Sequence, residues 1–130
     1  MKVEEVIFKK LEAGKAKDFS TLFSLYLTDS RLTKFNDLPP YRRLEGQEVL
    51  VNEELTFSSI SDFNYKISDL KVSLFEAFAI ATFIIEYEGV IIDDYTFEGK
   101  KLSVKARATY VLKKEKDNWL IVHEHLSRLS

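Results

Sequence analysis

The chain of 130 residues contains no cysteine. Disulfides, thiolate nucleophiles and cysteine metal sites are excluded together, and a cytoplasmic protein is expected. Glutamine occurs once, at Gln47, and methionine once, at Met1. With abundant Lys, Glu, Ile and Phe, this composition leans toward a thermophilic source. No apolar run approaches the ~18 residues of a membrane span. The start, Met1-Lys2-Val3-Glu4-Glu5, is too acidic and too soon helical for a signal peptide. Basic charge is not in excess, since the net charge is −2. A nucleic-acid footprint is therefore missing, and neither DNA nor RNA is expected as a partner. Gly-rich phosphate loops and nucleophile elbows are missing as well.

What is present is ordinary globular material, 45% hydrophobic and 31% charged, so a single domain spanning residues 1–130 is expected. Val3, Val6, Ile7 and Leu11 recur at helical spacing, which predicts a helix over 3–12 that Gly14 breaks. Phe19, Leu22, Phe23 and Tyr26 predict a second helix over 16–27, ended by Thr28-Asp29-Ser30. Arg31 to Phe35 alternates as a short strand, and Asn36 to Tyr41 must be a loop because of Pro39 and Pro40. A third helix is expected over 47–59, around Val49, Leu50, Glu53 and Leu55. From Phe63 the period becomes two. Ala77–Tyr87 and Leu102–Lys113 read as long strands, with Gly89 and Gly99 bracketing a connection that carries Asp93-Asp94. Helices followed by a meander of long antiparallel strands make an α+β arrangement.

The tail is the most informative stretch. Asn118 to Ser127 is an apolar-rich strand holding both histidines, His123 and His125. Strict alternation puts Trp119, Ile121, His123, His125 and Ser127 on one face, with the histidines ~6.6 Å apart, as the floor of a pocket.

Trp119-x-x-Val122-His123-x-His125-x-Ser127 resembles the end of the nuclear transport factor 2-like superfamily, most closely its SnoaL-like branch and the association domain of calcium/calmodulin-dependent kinase II. Arg107-x-Thr109-x-Val111, twelve residues ahead of the tryptophan, and Pro39-Pro40 followed by Leu44-x-Gly46-x-Glu48 extend the match. Asp117-Asn118 replaces the usual Asp-Gly turn, and the insertion around Asp93-Asp94 is longer than the resemblance leads one to expect. The resemblance implies a cone-shaped, curved antiparallel sheet wrapped around three N-terminal helices, a cystatin-like fold, and a homodimer formed through the outer sheet face. Its members include isomerases, polyketide cyclases, dehydratases, binding modules and oligomerisation domains, so the fold does not name the activity. Active members often carry an aspartate base at the pocket, for which Asp37 and Asp69 are candidates by position.

The candidate ligand-binding residues are Tyr41, Tyr87, Arg107, Tyr110, Trp119, His123 and His125. The candidate catalytic residues are His125 and Glu86, a histidine tuned to neutral pH and a carboxylate in the most apolar strand. Their neighbours depend on hairpin register. A two-residue Lys116-Asp117 turn pairs Glu115 with Asn118 and sets Tyr110 opposite His123, whereas a three-residue turn with a bulge sets Arg107 opposite His125. His-x-His is also a zinc or iron spacing, but the third ligand would have to be Glu86, so neither a metal nor any other cofactor is expected. The expected partner is a small apolar or anionic molecule held in the cone. Proton-transfer catalysis, or an oligomerisation role with a vestigial pocket, stand as the alternatives.

Overall fold

A computed structural model of the chain describes residues 1–92 and 96–129, so the expected Asp93-Asp94 connection lies outside the described residues. The elements are α1 (Val3–Ala16), α2 (Phe19–Ser24), β1 (Thr33–Phe35), β2 (Leu44–Glu45), α3 (Gln47–Ser59), β3 (Ile60–Phe75), β4 (Phe78–Ile92), β5 (Gly99–Glu115) and β6 (Asn118–Arg128). The strands form one open sheet in the order β2-β1-β6-β5-β4-β3. None of the described helices is long and apolar enough to cross a membrane.

Helix α1 does not stop at Gly14. It continues to Ala16 and ends at Lys17, whose left-handed backbone (φ 57°) closes the last turn. Gly14 is buried in contact with the Phe57 ring of α3, and a Cβ there would sit 2.5 Å from that ring. The glycine is a point of close helix approach, a role that the local pattern does not separate from that of a helix stop. Lys17 then reaches across, and its ammonium donates to the carbonyls of Phe57 (2.9 Å) and Ile60 (3.0 Å) at the C-terminus of α3. A cation there satisfies orphan carbonyls and complements the helix dipole.

Helix α2 is shorter than the sequence pattern predicts. Asp18 caps it through the Thr21 N–H (3.2 Å). After Ser24 the sheet captures the chain: Leu25 O accepts from Ile121 N (2.8 Å) and Leu27 N donates to Ile121 O (2.9 Å). Tyr26 thereby becomes a bridge residue beside β6 instead of a helical one.

The sheet is mixed, which corrects the expected all-antiparallel meander. Strand β1 runs parallel to β6, with Thr33 opposite His123 and Phe35 opposite His125. The two strands are far apart in sequence, so no tight turn dictates their direction. Strands β3 to β6 remain antiparallel. Their inner face is legible by alternation: Ala79, Ala81, Phe83, Ile85 and Tyr87 on β4, and Val104, Ala106, Ala108, Tyr110 and Leu112 on β5, are all buried. The alanines let the helices lie close against the concave side. Edge strand β3 is broken by register shifts near Asp62 and Asp69, both with positive φ, which bend it and interrupt an otherwise continuous pairing edge.

Gly14→Ala is expected to destabilise the fold by about 1–3 kcal/mol, through overpacking against Phe57 and in spite of alanine's better helix propensity. Urea unfolding of Gly14→Ala alone and combined with Phe57→Leu checks this, the second change being expected to restore part of the loss.

Candidate functional site

A β-bulge in β6 decides which side chains enter the cone. The hairpin has the two-residue Lys116-Asp117 turn, with Glu115 opposite Asn118 and Leu112 opposite Ile121. The register then shifts, so that Val111 faces His123 and Val122 is the extra residue. Ile121 before the bulge and Glu124 after it are both fully buried on the inner face. The single face expected for Trp119, Ile121, His123, His125 and Ser127 is therefore split, because a bulge inverts the alternation beyond it. Neither anticipated pairing of the histidines occurs: Tyr110 faces Glu124, Thr109 faces His125 and Arg107 faces Ser127.

The histidines belong to the outer face, in cross-strand rows. One row is Ile80–Val111–His123–Thr33 and the next is Thr82–Thr109–His125–Phe35. His123 Nδ1 and Thr33 Oγ1 are 2.7 Å apart, and burial, then the nearby His125, lower the His123 pKa. Arg107 is exposed in the row Ile84–Arg107–Ser127, and Glu86 is exposed between Lys66 and Lys105. Trp119 is half-buried at the far end of the cone, beside Met1, Val6 and Leu25. The structure does not bring Glu86, Arg107, Trp119 and His123 together with the interior tyrosines.

The interior holds charges that the sequence pattern did not single out. Lys10 from α1, Lys34 from β1, Glu53 from α3 and Glu124 from β6 are all buried. Lys34 Nζ lies 2.6 Å from Glu53 Oε1, and Lys10 Nζ lies 3.0 Å from Glu124 Oε1 and 3.4 Å from Glu53 Oε1. Lys10 also donates to the Tyr110 hydroxyl (2.6 Å), and the Tyr26 hydroxyl donates to Glu124. Burial disfavours each lysine's charge, but the two carboxylates outweigh it and both ammonium groups end with raised pKa values. Glu53 is held well below the usual carboxylate range, because the attraction of Lys10 and Lys34 overcomes its burial. Glu124 goes the other way, pushed up to about 7 by burial and by the neighbouring Glu53 charge. Its Oε2 accepts no hydrogen bond, and Lys34 Nζ is 3.7 Å away. A proton on Glu124 relieves that orphaned acceptor.

The only sequence signal for this cluster was charge at core-facing positions. Lys10 shares a helical stripe with Val3, Val6 and Ile7, and Glu53 stands four residues from both Val49 and Phe57.

The cluster opens onto a chamber of about 50 Å³, whose wall combines Lys10, Lys34 and Glu53 with Phe57, Phe63, Ile85 and Leu126 and is reached also by Tyr110, Tyr87 and Asp37. The Tyr87 hydroxyl donates to Asp37 Oδ2 (2.7 Å), while Asp37 Oδ1 is buried without a partner. Burial and then the Asp37 charge raise the Tyr87 pKa and keep its proton in place. Asp69, the other candidate base, is exposed on β3. Strand β1 ends at Phe35 while β6 continues to Arg128, so the two diverge. Outside that gap lies an open groove of about 500 Å³, lined by Phe35, Asn36, Asp37, Tyr41, His125, Leu126, Ser127 and Arg128. Chamber and groove share Asn36, Asp37 and Leu126. Of the anticipated ligand-binding residues, Tyr87 and Tyr110 therefore line the chamber, and Tyr41 and His125 line the groove. Three or more His, Cys, Asp or Glu side chains in metal-binding proximity are not found among the described residues.

The profile of the SnoaL-like domain matches residues 3–129. Among solved structures, a candidate dehydratase of the nuclear transport factor 2-like family from Streptomyces avermitilis is 23% identical, with a TM-score of 0.82 over 98% of this chain and 93% of that one. A nuclear transport factor 2-like superfamily protein from Salmonella enterica is 20% identical, with a TM-score of 0.83 over 97% and 87% of the two chains. The association domain of C. elegans calcium/calmodulin-dependent kinase II is 20% identical, with a TM-score of 0.73 over 96% and 95%. At these identities the likeness establishes the fold. No functionally curated protein matches the chain.

The opposite shifts of the two buried carboxylates have opposite signs in stability. Glu53, with a lowered pKa, contributes stability above its unfolded value near 4.5 that is lost as pH falls further. Glu124, with a raised pKa, contributes stability below 4.5 that is lost as pH climbs toward about 7. Glu124 is expected to contribute a decline of up to ~1.4 kcal/mol per pH unit between about pH 4.5 and 7, opposed on approach to pH 6.5 by His123 with its lowered pKa, and Glu124→Gln is expected to remove the declining part. Urea titrations at closely spaced pH values measure both slopes.

Proposed function

The chain belongs to the SnoaL-like domain family, and we propose that it binds a small, partly apolar molecule in the chamber of its cone. The molecule carries one hydrogen-bond donor, directed at Asp37. The observation that carries this reading is the orphaned Asp37 Oδ1, buried at the wall of a chamber whose charged lining groups Lys10, Lys34 and Glu53 are already paired. A buried acceptor left unpaired costs about 1–3 kcal/mol, and a ligand O–H or N–H recovers it. The Tyr87 hydroxyl holds the other oxygen of the same carboxylate, which fixes the direction of the free one. A chamber of about 50 Å³ holds only a few heavy atoms, so a larger ligand must extend through the gap into the groove.

Phenol and anisole test this reading, since they share a ring and differ in the O–H donor. Phenol is expected to bind at least tenfold more tightly in ligand-observed NMR titrations, and Asp37→Asn, which turns a donor toward the chamber, is expected to remove the preference. Equal binding of the two compounds, or a preference that survives Asp37→Asn, overturns the assignment.

The similarity to an association domain and the half-apolar outer rows support a second property, a homodimer formed through the outer sheet face. Ile80, Ile84 and Val111 lie near the middle of that face, away from the chamber. Val111→Glu is expected to shift sedimentation equilibrium from dimer to monomer without unfolding the chain. A protein that is monomeric before the change refutes the dimer and leaves the chamber reading intact.

A further inference from the structure

We infer that the groove outside the chamber is a carboxylate subsite, and that the ligand of this protein is a small hydroxyaryl carboxylic acid whose acid group pairs with Arg128. This rests on the chamber reading above and adds to it the class of ligand.

Three observations lead there. Arg128 is exposed at the end of β6, lines the groove, and its guanidinium takes part in no ion pair or hydrogen bond among the described residues. Arg31, Arg42 and Arg43 are occupied by Asp29, Glu48 and Glu45, and Arg107, exposed opposite Ser127 on β5, belongs to the outer face and does not line the groove. Arg128 is also close enough to the mouth for its charge to act on the Tyr87 hydroxyl, the same group that orients Asp37. A free guanidinium beside an opening is suited to a planar carboxylate, which it binds through two parallel N–H donors.

Three aromatic rings stand in the groove wall beside Asn36, Asp37, Leu126 and Ser127. Phe35 and His125 pack with ring centroids 5.5 Å apart, and Tyr41 also lines the groove, 75% exposed. Such a wall receives the face or edge of a flat ring. It also gives the exposed Phe35 and Tyr41 rings a role that core packing does not supply.

Polarity sets the orientation. Lys10 and Lys34 in the chamber wall are already paired with Glu53 and Glu124, so the unpaired Asp37 oxygen repels an anionic head and attracts a donor, while Arg128 does the reverse. A molecule with a hydroxyl at one end and a carboxylate at the other is therefore aligned with its hydroxyl in the chamber and its acid group at the rim. Neutral alcohols use only the inner half of the site, and simple acids only the outer half.

4-Hydroxybenzoate, phenol and benzoate separate the two halves. In titrations of the full chain at pH 7.5 followed by 15N–1H NMR, 4-hydroxybenzoate is expected to bind at least tenfold more tightly than either fragment. Arg128→Gln, a change at an exposed position, is expected to reduce 4-hydroxybenzoate to the level of phenol while phenol itself is unaffected. Asp37→Asn is expected to reduce it to the level of benzoate, and thermal denaturation of both variants shows that each is folded. If 4-hydroxybenzoate and phenol bind alike, or the advantage of the acid survives Arg128→Gln, the carboxylate subsite is refuted and the chamber stands. If benzoate binding depends on Arg128 but phenol does not bind, the chamber reading fails and the groove alone is the anion site. If none of the three compounds binds, both readings fall.

Discussion

Lys10, Lys34, Glu53 and Glu124 hold this architecture in register. Each comes from a different element, α1, β1, α3 and β6, and all four are buried. Four ionisable groups taken out of water cost several kcal/mol each before they meet. Their pairing offsets that cost only while all four elements keep their places. Removing one member leaves an uncompensated buried charge, so the cluster penalises misplacement of any helix against the sheet more sharply than apolar contacts do. Tyr26 and Tyr110 complete it by donating to Glu124 and by accepting from Lys10. The near balance of two cations against two carboxylates also explains the split in acidity. Glu53 sits closest to the cations and keeps its charge, and Glu124 absorbs the remaining repulsion by holding a proton more strongly.

The cluster exists because β6 carries a bulge. Without Val122 as an extra residue, Glu124 would continue the outer alternation and the imidazoles would point inward. The bulge exchanges them. One strand thus supplies an apolar inner surface at Ile121, a charged anchor at Glu124 and an outer row of histidines. Beyond it, Leu126 returns to the chamber wall and Arg128 reaches the rim. The same local irregularity that stabilises the core sets the chemistry of the opening.

That opening is graded in character. Lysine and glutamate charges neutralise one another at its deepest point, followed by an apolar chamber with one free acceptor on Asp37. An aromatic groove with a free guanidinium lies outside. The narrowness of the chamber follows from the large aromatic side chains that fill the cone, Phe57, Phe63, Phe83 and Tyr110 among them. The open groove lies where β1 stops pairing with β6 and side chains from opposite sides no longer meet.

Much of the fold was legible in the linear pattern. Alternation along β4 and β5, the apolar stripe of α1, the third helix over 47–59 and a turn within residues 115–118 depend on neighbours within a few residues, and local periodicity reports them. The tail motif pointed to the family for the same reason. Tyr87 and Tyr110 as interior tyrosines were also within reach of the sequence, whereas His125, expected on the pocket floor, lies on the outer face. The parallel pairing of β1, the continuation of α1 through Gly14 and the inversion within β6 were not, since each is imposed by a partner distant in the chain: β6, Phe57 and β5 respectively. The charge cluster is the clearest case. Lys10, Lys34, Glu53 and Glu124 look in sequence like solvated residues interrupting apolar stripes, and only the convergence of four elements gives each the opposite charge that makes its burial tolerable. Composition and periodicity determined that this chain folds as helices on a curved sheet. Tertiary packing decided which side chains face the cone, because a single extra residue in a strand reverses every face beyond it.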